Sequence, residues 1–167
     1  MNQAESGRSL IEMLAVIGII GVLSVGVIST VRWGLVSGQT FSLQADVESA
    51  AQQLQELCSW NSSWVDCQPQ STDLDLPKNF KVVVNGETDL KLKVCQVDNE
   101  CKGVVPVRVC RRLLNPTYTN WTEDLIESIT VNSGSANELP LSDGIWKTAC
   151  GSSSFGSAVT MEFTVIK

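Results

Sequence analysis

The sequence predicts an α+β fold: a long N-terminal α-helical spine, apolar and then amphipathic, packed on an antiparallel β-sheet head stapled by disulfides. Three observations carry this expectation. The stretch from Met13 to Val31 contains no charged side chain, and no proline occurs before Pro69. Short segments of alternating apolar and polar residues follow from Phe80 onward. All six cysteines, at 58, 67, 95, 101, 110 and 150, lie beyond the apolar stretch.

An uncharged run of this length is enough to cross a bilayer as a helix. Glu12 sits just inside its N-terminal edge. A carboxylate in lipid costs roughly 2.5–3.5 kcal/mol at a helix centre and less near the edge, so such a residue calls for a partner. A secretory signal fits poorly, since its basic end should precede the apolar run and small cleavage-site residues should follow it.

With nothing to break it, the helix is expected to run from Ser9 to Cys58, roughly 75 Å at 1.5 Å per residue. Its second half changes character. Leu43, Val47, Ala50, Leu54 and Leu57 recur at spacings of four and three, while Gln44, Asp46, Glu48, Gln52, Gln53 and Glu56 occupy the other faces. Such a stripe packs against a soluble domain. Glycines at 18, 21, 26, 34 and 38 allow close helix approach, Gly34 with Gly38 forming one small-xxx-small pair. They also weaken the helix, by roughly 1 kcal/mol each relative to Ala in water, making Gly21 and Gly26 the expected weak points.

Residues 58 to 77 read as an irregular connector, in which Cys58 and Cys67 are near enough to close a small loop over the helix end. Phe80 to Val84 reads as a strand ending at the turn signal Asn85-Gly86. In the next strand Leu90, Leu92 and Val94 share one face, with Lys91 and Lys93 on the other. Cys95 and Cys101 flank a polar turn and are placed to staple it. Pro106 to Leu114 is expected to be a short helix with Cys110 facing inward, since proline favours a helix start. The alternation around Ile129 and Val131 favours a strand over a helix across 122–129. A turn-rich stretch over 132–144, Trp146, Cys150 and a Gly151–Gly156 linker precede a closing strand of Val159, Met161, Phe163 and Val165.

Composition excludes several functions. The 167-residue chain carries a formal charge of −6 and a pI near 4.6, arguing against nucleic acid as the main partner despite a local basic patch at Arg108, Arg111 and Arg112. An even cysteine count in an exported region reads as a disulfide framework, with the pairing left open by sequence. Without any histidine or Cys-x-x-Cys spacing, no metal site is expected. No cofactor and no catalytic residues are expected either. There is no histidine to act as a base, no phosphate-binding glycine loop and no nucleophile elbow in Gly151–Gly156. Asp73, Asp75, Asp98, Glu100, Glu123 and Asp124 read as solvated surface. Arg8 and Arg32 flank the span symmetrically, so orientation follows from the cysteines, which place residues 58–167 in an oxidising compartment outside the cytoplasm.

Gly7, the run Ser9-Leu10-Ile11-Glu12 and the apolar tract behind them resemble the N-terminal signature of type IV pilins and pseudopilins. The resemblance implies a leader of residues 1–7, cut by prepilin peptidase between Gly7 and Arg8, with methylation of the new N-terminus. It implies that Glu12 pairs with the N-terminal amine of an adjacent subunit as helices bundle into a fibre. The chain departs from the family at Arg8, usually an apolar residue, at Glu5 in a leader that usually carries Lys or Arg, and at Ser29, where many pilins have proline. By this resemblance residues 8–32 form the transmembrane and assembly helix, 33–58 its amphipathic half and 59–167 a pilin head. A cysteine before a short helix, a central strand ending in Asn and a cysteine shortly before the last strand resemble the type IVb head, which implies a Cys110–Cys150 disulfide. The implied protein is a homo-oligomeric fibre subunit for adhesion, motility or uptake. It would reside in the inner membrane, served by the pilus assembly machinery, and then become extracellular. A minor pilin or type II secretion pseudopilin is the alternative within that architecture, and a membrane-tethered extracytoplasmic binding module the alternative outside it.

Overall fold

The computed structural model describes residues 3–67, 80–85, 89–94, 105–151 and 158–167. In chain order the elements are α1 (Gln3–Leu57), α2 (Trp64–Cys67), β1 (Phe80–Asn85), β2 (Asp89–Val94), β3 (Val105–Pro106), α3 (Val107–Leu113), β4 (Ile126–Val131), β5 (Ala136–Glu138), α4 (Ile145–Ala149), β6 (Ala158–Val159) and β7 (Met161–Val165). The fold is α+β.

Two compact units divide between Gly38 and Gln39. The first is the apolar part of α1. Two hydroxyls there bond within the helix: Ser24 Oγ donates to the Ile20 carbonyl at 2.7 Å and Thr30 Oγ1 to the Val27 carbonyl at 2.9 Å. Such back-bonding lets Ser and Thr occupy an apolar helix without a polar neighbour.

The second unit joins the rest of α1 to the head. Its five-stranded antiparallel sheet has the order β1-β2-β7-β4-β5, and β3 pairs separately with β6. The central strand β7 carries Phe163 opposite Leu92 on one side and Ile129 on the other, all three fully buried. The Trp121 ring packs 5.2 Å from that of Phe163. Alternation in β2 holds as the sequence implies, with Leu90, Leu92 and Val94 buried, while Lys93 bonds its cross-strand partner Glu162 at 3.0 Å. Ser128 Oγ donates to Thr164 Oγ1 at 3.0 Å, so these buried hydroxyls satisfy each other.

The amphipathic half of α1 supplies Val47, Ala50, Ala51 and Leu54, all fully buried, to this core. Leu57, read as the end of the stripe, is 48% exposed, and Cys58 at 1% takes the inward place. The reason is geometric: Cys58 follows Leu54 by four residues, the helical repeat of one face.

The structure adds three short elements, two within stretches expected to be irregular or turn-rich and one just after the second of them. In the 58–77 connector, Ser63 begins α2 with a capping-box pattern, its Oγ accepting from the Asp66 N–H at 3.3 Å and donating to the Asp66 carboxylate at 2.9 Å. The three-residue β5 lies in the 132–144 stretch, held by the Asn137 amide donating to the Ile129 carbonyl at 2.8 Å. The helix α4 surrounds Trp146. Elements of three to five residues are too short to display a period.

Candidate assembly site

From Leu10 to Val31 every described large apolar side chain of α1 is exposed, between 52% for Val31 and 76% for Val22. This is the one helix among the described residues long and apolar enough to cross a membrane, with a mean hydropathy of 2.5 in its most apolar window. Between Glu12 and Arg32 the rise is roughly 30 Å at 1.5 Å per residue, the thickness of a bilayer's hydrocarbon core. Trp33, 65% exposed, follows at the far end, where indoles favour the membrane–water interface. A Cβ built at Gly18, Gly21, Gly26, Gly34 or Gly38 meets nothing within 4 Å, so these positions are open notches on the helix surface. Glu12 is an exposed carboxylate on the same rod. Gly7 and Arg8 lie inside α1, whose first residue is Gln3 rather than the expected Ser9.

The head is tied to α1 by three polar side chains, of which Gln44 and Glu48 are expected from the sequence on its outer faces. Gln44 Nε2 donates to the Asn120 carbonyl at 2.8 Å. Glu48 Oε1 accepts from the Thr122 N–H at 3.1 Å and its hydroxyl at 3.2 Å. Gln55 Nε2 donates to the Asp124 and Ile166 carbonyls at 3.1 and 2.8 Å. Asn120, Thr122 and Asp124 thus hydrogen-bond along α1, while the Leu125 carbonyl accepts from the Ile166 N–H just beyond β7 at 3.0 Å. The spacing of 44, 48 and 55 on one helical face was the available signal.

Cysteine placement follows two local frames. Cys58 and Cys67 form a disulfide with Cα atoms 5.5 Å apart, closing the loop that carries Trp60. Cys110 on α3 and Cys150 after α4 form a second, with Cα atoms 6.0 Å apart. The pairing of Cys95 with Cys101 lies outside the described residues. The end of α3 is sealed by Trp121 Nε1 and Thr119 Oγ1, which donate to the Leu113 carbonyl at 2.9 and 2.8 Å. Those donors satisfy a carbonyl that the helix end leaves unpaired.

Arg111 and Arg112 of α3 lie over aromatic rings of the same chain. The Arg111 guanidinium lies 6.0 Å from the Trp146 ring and donates to the Gly151 carbonyl, Lys147 lies 5.2 Å from the same ring, and Arg112 lies 5.1 Å from Tyr118. No group of three or more His, Cys, Asp or Glu side chains converges on a metal-sized site among the described residues.

No protein-family model matches the chain, and neither a curated protein nor a solved structure matches it. The sequence and the geometry above therefore carry the functional reading.

Proposed function

We infer that this chain is a structural subunit of a type IV pilus, of the type IVb-like kind, which polymerises through its N-terminal helix. The observation that carries the reading is the exposure of α1 between Leu10 and Val31 on all its faces, with one carboxylate at its inner edge. Side chains this apolar need lipid or other helices around them. In a bundle of rods, a neighbour's N-terminal amine supplies that carboxylate with a counter-charge.

The mechanism is a change of surroundings. In the inner membrane, lipid covers the apolar side chains. In the fibre, the same surfaces pack on neighbouring helices, the glycine notches admit close approach, and the ammonium created by cutting between Gly7 and Arg8 meets Glu12. Because Gly7 and Arg8 sit in the first turns of α1, the peptidase must unwind those turns, where helices fray most readily. The heads, held to α1 by Gln44, Glu48 and Gln55, then form the outer surface.

The test is a pair of variants, Glu12→Ala and Gly7→Leu, scored for membrane accumulation and for fibres in the sheared surface fraction. Both should accumulate in the membrane as the parent does and both should lose fibres. Normal fibres from both variants contradict the reading, and a parent chain that stays a membrane-bound monomer favours a tethered module.

A further inference from the structure

Every residue of α3 that is not buried is an arginine. Arg108, Arg111 and Arg112 stand three and four apart on one helical face, while Val107, Val109, Cys110 and Leu113 point into the core. Lys147 of α4 joins them. Its ammonium lies 5.2 Å, and the Arg111 guanidinium 6.0 Å, from the Trp146 ring, and the Cys110–Cys150 disulfide ties α3 to the end of α4. Arg112 lies 5.1 Å from the ring of Tyr118, which is exposed. The segments that build this sector carry no carboxylate of their own. From Val105 to Thr122 and from Gly144 to Met161 there is no Asp or Glu, although the whole chain has a charge of −6. Glu123 and Asp143, both exposed, border them.

The sector has a defined place within the second unit. Thr119 and Trp121 bond the last carbonyls of α3, and between them the Asn120 carbonyl accepts from Gln44. Gln44 is only five residues past Gln39, where α1 enters this unit. The basic end of α3 therefore lies towards the entry of α1, and the Trp60 loop, which follows Leu57, lies towards the other end. Arg32, at the close of the apolar stretch, is separated from Gln39 by residues 33–38. Even fully extended, that connection spans at most about 25 Å.

We propose that the Arg108–Arg111–Arg112–Lys147 face, with Trp146 and Tyr118, docks on anionic phospholipid headgroups of the membrane that holds α1. This rests on the membrane stage of the assembly reading and not on the fibre. Clustered Lys and Arg beside a membrane-spanning segment are drawn to anionic lipid, and Trp and Tyr favour the headgroup level. Tethering decides between polyanions. A free one must approach a chain of net negative charge, whereas the short connection to α1 holds the lipid surface at a high effective concentration. The contact keeps the head on the membrane during storage and is broken when the helix is withdrawn.

The experiment reconstitutes the full-length chain, one copy per lipid nanodisc, in phosphatidylcholine alone or with phosphatidylglycerol added. Hydroxyl-radical oxidation of Trp146 and Tyr118 is followed by mass spectrometry, with Trp60, 95% exposed, as the internal reference. Trp146 and Tyr118 should oxidise about threefold more slowly in the anionic discs, with Trp60 unchanged. High salt should remove the difference. The variant Arg108→Glu with Lys147→Glu, both exposed positions, should melt as the parent does and oxidise equally in the two lipids. Lys147→Glu alone, on a helix with no buried residue, should lose part of the difference and guards against misfolding of the double variant. Equal rates for the integrated parent in both lipids, or a lipid difference that survives in folded variants, overturn the docking proposal and leave the assembly reading standing. Protection that needs a second copy in the disc, or that a soluble oligonucleotide supplies while anionic lipid does not, also overturns it. A chain that fails to integrate into either disc overturns both.

Discussion

Replacing Leu54 by alanine tests whether the amphipathic half of α1 is part of the head's core or merely a stalk leading to it. Leu54 is fully buried, whereas Leu57, one turn later, is 48% exposed. Truncating a buried leucine loses transfer free energy and leaves a cavity, for a cost of about 2–5 kcal/mol. Full burial on a helix whose neighbouring positions are held by Gln55 and Glu48 leaves little room for collapse, so a cost of about 3 kcal/mol is expected. Leu57→Ala should cost about 1 kcal/mol or less, because half of its surface is already in water. The assay is urea and thermal unfolding of a fragment beginning at Gln39, where the second compact unit starts. Trp64 and Trp121 serve as buried reporters at 3% and 6% exposure. Leu54→Ala should lower the melting temperature by about 10 °C, given the stability-to-temperature scaling of a domain of this size. A Leu54→Ala cost no larger than that of Leu57→Ala would refute the placement of this helix in the core.

Other variants probe the remaining supports. Removing the Cys110–Cys150 bridge with paired serines should cost about 4 kcal/mol in the chain-entropy picture for a separation of 40 residues, read as a fall in the urea midpoint of the same fragment. The shorter Cys58–Cys67 bridge, with a separation of 9, should contribute less, about 2.6 kcal/mol. Glu48→Gln keeps the shape but loses the charged acceptor for Thr122, and should cost about 1–2 kcal/mol by the same measurement. Asn132 has a positive φ of 51° and its Oδ1 accepts from the Thr160 N–H at 3.0 Å. Asn132→Val should therefore destabilise more than Asn132→Gly, which keeps the backbone freedom and loses only the bond.

Much of this architecture was readable because its periods are long or clean. The uncharged, proline-free apolar run from Met13 to Val31 reads as continuous helix, and the Leu90-Leu92-Val94 alternation fixes a strand face. The turn of α3 after Pro106 follows from the proline itself. What escaped were short or three-dimensional features. The expectation for Leu57 failed because Cys58, four residues after Leu54 and bridged to Cys67, takes the inward place. The clamp by Gln44, Glu48 and Gln55 was hidden because glutamine and glutamate on a helix normally signify solvent, and only the fold brings Asn120, Thr122, Asp124 and Ile166 beneath them. The Ser63-x-x-Asp66 cap was legible but stood inside a cysteine-bounded loop that looked irregular. Trp60 gives no sign of its exposure in sequence, since most tryptophans are largely buried.

The most direct measurement of the central claim is the intact mass and N-terminal peptide of this chain recovered from sheared surface fibres of cells that express it. The assembly account predicts abundant fibres whose subunits begin at Arg8, with Glu12 required for their formation. A chain found only in the membrane, retaining the residues before Arg8, would contradict it.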